Sequence, residues 1–157
     1  MLTVNVPMNK AHKHPDTLDQ AFTVVCVDDN PQVADAVRVK LQRAGDFEWA
    51  GWAADADAML AMFKDGTACP DLVILDLDMP GIDPFEATAK LTTTCACSRV
   101  VVFTGHVRKE LIERAVEAGA WGYVAKSDGA DSLVTALRSV MNDEFTLSPE
   151  ARSTYDR

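Results

Sequence analysis

Five short apolar runs alternate along this chain with five segments in which apolar residues recur at helical spacing. The apolar runs are residues 22–27, 47–53, 72–75, 99–103 and 121–125. The first is rich in β-branched residues, and the helical pattern after it places Val33, Val37 and Leu41 on one face. Such strict alternation predicts a doubly wound α/β fold, in which a parallel five-stranded sheet carries helices on both faces.

Length and charge restrict the function further. A chain of 157 residues suits one globular domain. A net charge of -9 disfavours direct nucleic-acid binding by this chain. No apolar run is long enough to span a membrane, and the polar start lacks a signal-peptide core, so we predict a cytoplasmic protein. We assign residues 1–20, with His12 and His14, to a flexible arm, 21–142 to the domain, and 143–157 to a tail or linker.

The chain has four cysteines. Cys26 lies in an apolar run, which predicts a buried core position. Cys95 and Cys97 form a Cys-x-Cys pair, but no second ligand pair is spaced to complete a zinc site. The sequence therefore disfavours a metal or redox role for this pair.

Polar residues occur where the predicted strands end. The first strand ends in Asp28 and Asp29, the third in Asp76 with Asp78 two residues on, and the fourth in Thr104 and Gly105, while Lys126 follows the fifth. Because the carboxyl ends of parallel strands share one edge, we expect these side chains to converge. A single Asp there is usually a cap or turn residue, but three carboxylates repel one another unless a cation intervenes. Oxygen-only ligands favour Mg²⁺ over zinc.

Lys126 and Thr104 extend this chemistry. Taken alone, Lys126 would be a solvated surface residue and Thr104 an ordinary strand end. At an acidic edge, the lysine can pair with a carboxylate or a phosphoryl oxygen, and the hydroxyl can donate to an anion. Gly105 leaves space for that anion. Together these residues predict a phosphoryl-transfer site with a carboxylate nucleophile.

Four segments in this order resemble the receiver domain of two-component response regulators. They are VVCVDDN at 24–30, DLVILDLDMPG at 71–81, VVFTG at 101–105 and GAWGYVAK at 119–126. The resemblance covers about residues 22–142. It implies a flavodoxin-like (βα)5 fold with strand order 2-1-3-4-5. It also implies a signalling switch, rather than an enzyme, that catalyses only its own phosphorylation and dephosphorylation.

The resemblance also implies roles for individual residues. Asp76 would accept a phosphoryl group from a sensor histidine kinase or a phosphotransfer protein. Mg²⁺ would be bound by Asp29, Asp76 and the Asp78 carbonyl, with Asp28 acting through water. Thr104 and Lys126 would contact the phosphoryl oxygens. Thr104 and Tyr123 would form the switch pair, and Asp78, Gly105 and His106 would flank the site. The face formed by the fourth helix, fifth strand and fifth helix would then control a partner, an output domain or a homodimer.

Two positions depart from the family pattern. Ser127 stands where many receivers have a cis proline, and Pro84 replaces a common glycine. The motif Leu147-Ser148-Pro149-Glu150 resembles the branch that carries a C-terminal helix-turn-helix output domain. The sequence leaves open whether this chain is a stand-alone receiver or a piece of a longer protein.

Three other functions share part of this sequence pattern. A haloacid-dehalogenase-like phosphatase also uses an Asp-x-Asp, but on its first strand, whereas Asp76 follows the third. A flavodoxin-like cofactor carrier needs a phosphate loop after the first strand, where Asp28 and Asp29 would repel a phosphate. A pseudo-receiver that only docks a partner remains an alternative.

Overall fold

The computed structural model describes residues 21–157, so the predicted arm at 1–20, with His12 and His14, lies outside the described residues. The strands are β1 Phe22–Val27, β2 Phe47–Ala53, β3 Leu72–Leu75, β4 Arg99–Thr104, β5 Gly122–Ala125 and β6 Thr146–Leu147. They form one parallel sheet in the order β2-β1-β3-β4-β5-β6. The predicted order of the first five strands is confirmed, and β6 is an addition.

Within residues 21–157, six α-helices surround the sheet. They are α1 Pro31–Ala44, α2 Ala56–Met62, α3 Pro84–Thr94, α4 Lys109–Ala118, α5 Gly129–Met141 and α6 Pro149–Asp156. Asn30 and Asp55 cap α1 and α2 by accepting backbone hydrogen bonds. None of the helices in residues 21–157 is long and apolar enough to cross a bilayer.

Apolar side chains fill both faces of the sheet. On one face, α1 and α5 bury Leu41 and Leu137 against strand residues such as Ile74. On the other face, α2 and α3 bury Met59 and Leu91. A third cluster lies under α4 and α6, around Tyr123 and Ala151. The central strands β3 and β4 are therefore covered on both sides, which explains their continuous apolar runs.

Residues 143–157 differ from the predicted tail or linker. β6 continues the sheet beside β5, and the Ser148 amide donates to the Tyr123 carbonyl at 3.0 Å. The Ser148 hydroxyl accepts a hydrogen bond from the buried Ala125 amide at 2.9 Å, and Ala151 is fully buried. A strand of two residues and a helix of eight are too short to show a recognisable period, so the sequence pattern missed them.

The cysteines also differ from expectation. Cys69 and Cys95 form a disulfide, although the sequence analysis did not single out Cys69. Cys97, the second member of the Cys-x-Cys pair, is a free, half-buried thiol. The prediction that Cys26 is buried is confirmed. Spacing along the chain did not reveal the disulfide because its two halves meet only after α3 folds back along β3.

Candidate functional site

The predicted acidic residues meet at one edge of the sheet. Strands β1 and β3 are neighbours and pair Val27 with Leu75, which places the residues that follow them side by side. One carboxylate oxygen from each of Asp28, Asp29 and Asp76 lies within 4.8 Å of the others. Asp28 and Asp76 are buried, whereas Asp29 is exposed. The chain adds β2 on one side of β1 and β3 on the other, so the order of winding reverses here and this edge is the topological switch point of the sheet.

Lys126 closes the acidic cluster from the end of β5. Its Nζ lies 2.8 Å from Asp28 Oδ2 and 3.4 Å from Asp76 Oδ2. Burial lowers the pKa of Lys126, but its hydrogen bond to Asp28 and the Asp76 charge outweigh burial and raise the pKa overall. The lysine therefore stays charged and bridges the carboxylates that follow the parallel neighbouring strands β1 and β3.

Both buried carboxylates are held by backbone amides. Asp28 Oδ1 accepts a hydrogen bond from the Asn30 amide, and Asp76 Oδ1 accepts one from the Leu77 amide, each at 2.9 Å. Burial raises the pKa of Asp76; the positive charge of Lys126 opposes this shift, whereas the negative charge of Asp28 adds to it. One oxygen of each carboxylate is thus fixed by the backbone, and the other faces the lysine.

The predicted switch residues share a backbone partner. Thr104 is fully buried, and its hydroxyl oxygen accepts a hydrogen bond from the His106 amide at 3.2 Å. Tyr123 is also buried, and its hydroxyl donates to the His106 carbonyl at 2.5 Å. Burial raises the pKa of Tyr123 far above neutrality, so the phenol stays protonated and keeps donating. Both hydroxyls therefore position the loop that follows β4.

Two side chains flank the mouth of the site. His106 Nε2 lies 3.4 Å from Asp78 Oδ2, and both side chains are exposed. At Gly105, predicted to leave space beside Thr104, a Cβ would meet nothing within 4 Å among residues 21–157, so the space beside this position is open.

Sequence reasoning missed two residues beside the site. Asp57, at the start of α2, accepts a hydrogen bond from the Ile82 amide at 3.2 Å. A Cβ at Gly81 would lie 2.4 Å from Asp57 Oδ2, so the glycine permits this close approach. Trp52 donates from its indole nitrogen to the Asp28 carbonyl at 2.8 Å. Sequence patterns did not indicate these two residues because neither lies at the strand ends that form the acidic edge. Trp52 reaches the site from β2, and Asp57 reaches it from α2.

The two departures from the family pattern have plain structural outcomes. Among residues 21–157 no peptide bond is cis, and Lys126–Asp128 forms a 3-10 turn after β5. That turn is tied to α6, because Glu150 accepts from the Ser127 hydroxyl and donates its amide to Asp128. Pro84 occupies the first turn of α3, where a missing amide costs nothing.

The sequence matches the response regulator receiver domain family over residues 24–138. The chain belongs to that family. The matched range contains all three site carboxylates together with Thr104, Tyr123 and Lys126. It is therefore a receiver domain of the two-component signalling type, and its strand order agrees with that assignment.

Individual relatives lead to the same family. The nitrate/nitrite response regulator protein NarL of Escherichia coli strain K12 is 30% identical over 126 residues, which cover 80% of this chain and 57% of NarL. The response regulator UvrY of the same strain is 30% identical over 123 residues, covering 78% of this chain and 56% of UvrY. The chain thus spans a little over half the length of these curated relatives.

Solved structures support the fold. A two-component response regulator of the LuxR family from Aurantimonas sp. SI85-9A1 superposes with a TM-score of 0.80 at 30% identity, covering 87% of this chain and 96% of that one. The isolated receiver domain of RcsB from Salmonella enterica serovar Typhimurium, solved with the phosphomimetic BeF3-, gives a TM-score of 0.76 at 18% identity, covering 86% and 99%. The second likeness bears on the fold alone.

Proposed function

We propose that this receiver domain accepts a phosphoryl group on Asp76 from a phosphohistidine of a sensor histidine kinase or a phosphotransfer protein. The observation that carries the proposal is the convergence of Asp28, Asp29, Asp76 and Lys126 at the switch point of the sheet. Family membership supports it independently.

The donor set at this edge fits a magnesium ion. Three carboxylates face one ammonium group, so the site keeps an excess of negative charge that a divalent cation would balance. All available ligands are oxygens, which Mg²⁺ prefers. Asp28, Asp29 and Asp76 would hold the ion together with the Asp78 carbonyl. Bound there, it would neutralise charge on the carboxylate and on the phosphoryl oxygens.

The side chains of the site each have a role in the phosphoryl transfer. The Asp76 oxygen that faces Lys126 forms the new O–P bond while the P–N bond to the donor histidine breaks, and the histidine imidazole leaves with its electron pair and is protonated. The Leu77 amide fixes the other Asp76 oxygen and so orients the carboxylate. Lys126 exchanges its contact with Asp76 for a phosphoryl oxygen. The Thr104 hydroxyl, at the adjacent strand end, donates to a second oxygen.

Phosphorylation would act on the loop held by Thr104 and Tyr123. Turning the Thr104 hydroxyl toward a phosphoryl oxygen would weaken its contact with the His106 amide. The loop, still bound through the Tyr123 hydroxyl, would then favour a second arrangement. The phosphoryl group can shift this balance only by the contacts it gains in that arrangement.

The output face would include the C-terminal elements. β6 and α6 cover the outer side of β5, and a groove of about 400 Å³ runs between α4 and α6. Val116, Phe145 and Tyr155 line this groove and are exposed. We place a phosphorylation-dependent homodimer or output contact on this face. Residues 21–142 would form the switching unit, and residues 143–157 would transmit its phosphorylation state. No direct nucleic-acid contact is assigned to this chain.

The test is mass spectrometry after incubation with acetyl phosphate, with and without Mg²⁺. One magnesium-dependent phosphoryl adduct is expected, and Asp76→Asn should abolish it. Asp65→Asn, which changes an exposed loop carboxylate, is the matched control and should label normally. Absence of any adduct in the folded protein would favour the pseudo-receiver. Sustained hydrolysis of a phosphate ester would instead favour the phosphatase.

A further inference from the structure

The Cys69–Cys95 disulfide closes a covalent ring that includes one residue of the acidic site, Asp76. Cys69 precedes β3 and Cys95 directly follows α3, so the covalent ring contains β3, Asp76 and the whole of α3. We define residues 76–83 as the acceptor segment; it joins the end of β3 to the start of α3. The disulfide ties together the two far ends of the elements that carry this segment.

Beyond Asp76 itself, which contacts Lys126 and the Leu77 amide, the acceptor segment is joined to other elements through exposed polar contacts. The Ile82 amide donates to Asp57 at 3.2 Å, and Arg114 pairs with Asp83 at 3.1 Å, both at exposed positions. Exposed pairs contribute little to stability. The position of α3 against β3 therefore depends on apolar packing, through residues such as Leu91, and on the disulfide at the opposite end.

The disulfide lies just beneath the surface. Cys69 and Cys95 are 8% and 2% exposed, yet residues 64–68 immediately before Cys69 are all exposed, as is Ala96 after Cys95. Opening of this short loop would admit a small thiol, and disulfides that can be reached in this way are the ones that exchange. Where thiol reductants act, such bonds are usually transient and redox-sensing.

We propose that the Cys69–Cys95 disulfide is a redox-controlled clamp on the acceptor segment, and that its oxidation state sets the rate of phosphoryl uptake by Asp76. The second half of this statement rests on the proposed function. The oxidised clamp fixes α3 against β3 and keeps the acceptor segment arranged for reaction. Reduction leaves α3 held by apolar packing and by those exposed polar contacts, so the segment samples more arrangements and reacts more slowly.

The exchange needs a dithiol and a peroxide. A dithiol gives two electrons and two protons to the disulfide, which becomes two thiols, and the dithiol becomes a cyclic or protein disulfide. In the reverse direction, hydrogen peroxide oxidises one cysteine to a sulfenic acid, with loss of water. The other thiol then displaces a second water and the disulfide re-forms.

The experiment compares oxidised and dithiothreitol-reduced protein, each confirmed by a mass difference of two hydrogens. Hydrogen exchange of the acceptor segment and the rate of phosphorylation by acetyl phosphate with Mg²⁺ are measured on both. Reduction should speed exchange in the segment and slow phosphorylation by at least about threefold, because small misplacements are costly to reaction rates. Peroxide should restore both values.

Variants separate the clamp from general thiol effects. Cys69→Ser with Cys95→Ser should resemble the reduced protein and should not respond to dithiothreitol. Cys97→Ser keeps the disulfide and should respond as the unchanged protein does. The main comparison is between the oxidised and reduced forms of the protein without substitutions. The outcome therefore does not depend on whether the double serine variant folds.

The two proposals fail differently. Equal hydrogen exchange in both redox states would overturn the clamp, whatever the phosphorylation rates are. Equal phosphorylation rates with unequal exchange would overturn its control of Asp76. If no adduct forms in either state, the proposed phosphoacceptor function is wrong, and hydrogen exchange alone still decides whether the clamp exists.

Discussion

Lys126 Nζ donates to Asp28 Oδ2 at 2.8 Å and lies farther, at 3.4 Å, from Asp76 Oδ2. The lysine is thus anchored on Asp28 rather than on Asp76, the proposed phosphoacceptor. Asp76 has the longer contact, which under the proposed function is the one that Lys126 exchanges for a phosphoryl oxygen. This asymmetry lets one cation hold the resting site together without blocking the reactive oxygen.

Lys126→Met should destabilise the protein when no divalent cation is present. Two buried carboxylates would lose their cation, and breaking a buried pair costs about 3 to 5 kcal/mol. Because Lys126 is 27% exposed on its side chain, we expect about 2 kcal/mol after allowing for solvent screening. Urea unfolding measures this loss, and millimolar Mg²⁺ should recover part of it. Lys64→Met, at an exposed position, should change little.

Magnesium binding should change the fluorescence of Trp52. Its indole donates to the Asp28 carbonyl, and the ring is 43% exposed beside the acidic cluster. Charge placed on the cluster should shift or quench its emission, and Trp52→Phe should remove that response. Binding should also stabilise the fold, by about 2.7 kcal/mol at one hundred times the dissociation constant.

The matched pair for magnesium binding is Asp29→Asn and Asp35→Asn. Asp29 belongs to the acidic cluster, whereas Asp35 is an exposed carboxylate on α1 that pairs with Arg38. Asp29→Asn should weaken the fluorescence response and the stabilisation, and Asp35→Asn should leave both unchanged. Equal responses in the two variants would mean that the ion binds elsewhere.

Tyr123→Phe should lower the free energy of unfolding by about 1 kcal/mol, the usual net value of a buried hydrogen bond. The variant removes only the donor to the His106 carbonyl and keeps the ring in the core. Faster hydrogen exchange at residues 105–108 should accompany it, since the tyrosine holds that loop. Unchanged stability and exchange would show that the hydroxyl does not position the loop.

The C-terminal elements should contribute to the stability of the domain. Ser148→Ala removes the acceptor of the buried Ala125 amide, and an unpaired buried donor costs about 1 to 3 kcal/mol. Ser127→Ala is the control, because its hydroxyl contact with Glu150 is exposed. Equal unfolding midpoints for the two variants would show that the hydrogen bond from Ala125 to Ser148 adds nothing to stability.

Alkylation should distinguish the four cysteines. Burial raises the pKa of the Cys26 thiol to about 12, and the thiolate is the reactive form, so Cys26 should resist iodoacetamide in the folded protein. The half-buried Cys97 should react. In protein unfolded without reductant, Cys26 should be alkylated as well as Cys97. In protein unfolded with reductant, Cys69 and Cys95 should also be alkylated. Full labelling of unfolded, unreduced protein would disprove the disulfide.

The sequence by itself determined the fold and the membership of the site. Alternating strand and helix patterns require a parallel sheet, and parallel strands bring their carboxyl ends to one edge. Asp28, Asp29, Asp76, Thr104 and Lys126 could therefore be assigned to one site from local patterns alone. This inference works because the residue at the end of each strand can be read from the local sequence. The alternation of strands and helices then makes the strands parallel, which brings these end residues to the same edge.

Only the tertiary structure decided the remaining contacts. The anchoring of Lys126 on Asp28, the shared His106 backbone of Thr104 and Tyr123, and the approach of Asp57 to Gly81 join elements far apart in the chain. The Cys69–Cys95 disulfide and the packing of 146–156 on β5 are of the same kind. They depend on distances between packed elements, and no periodicity along the sequence encodes a distance.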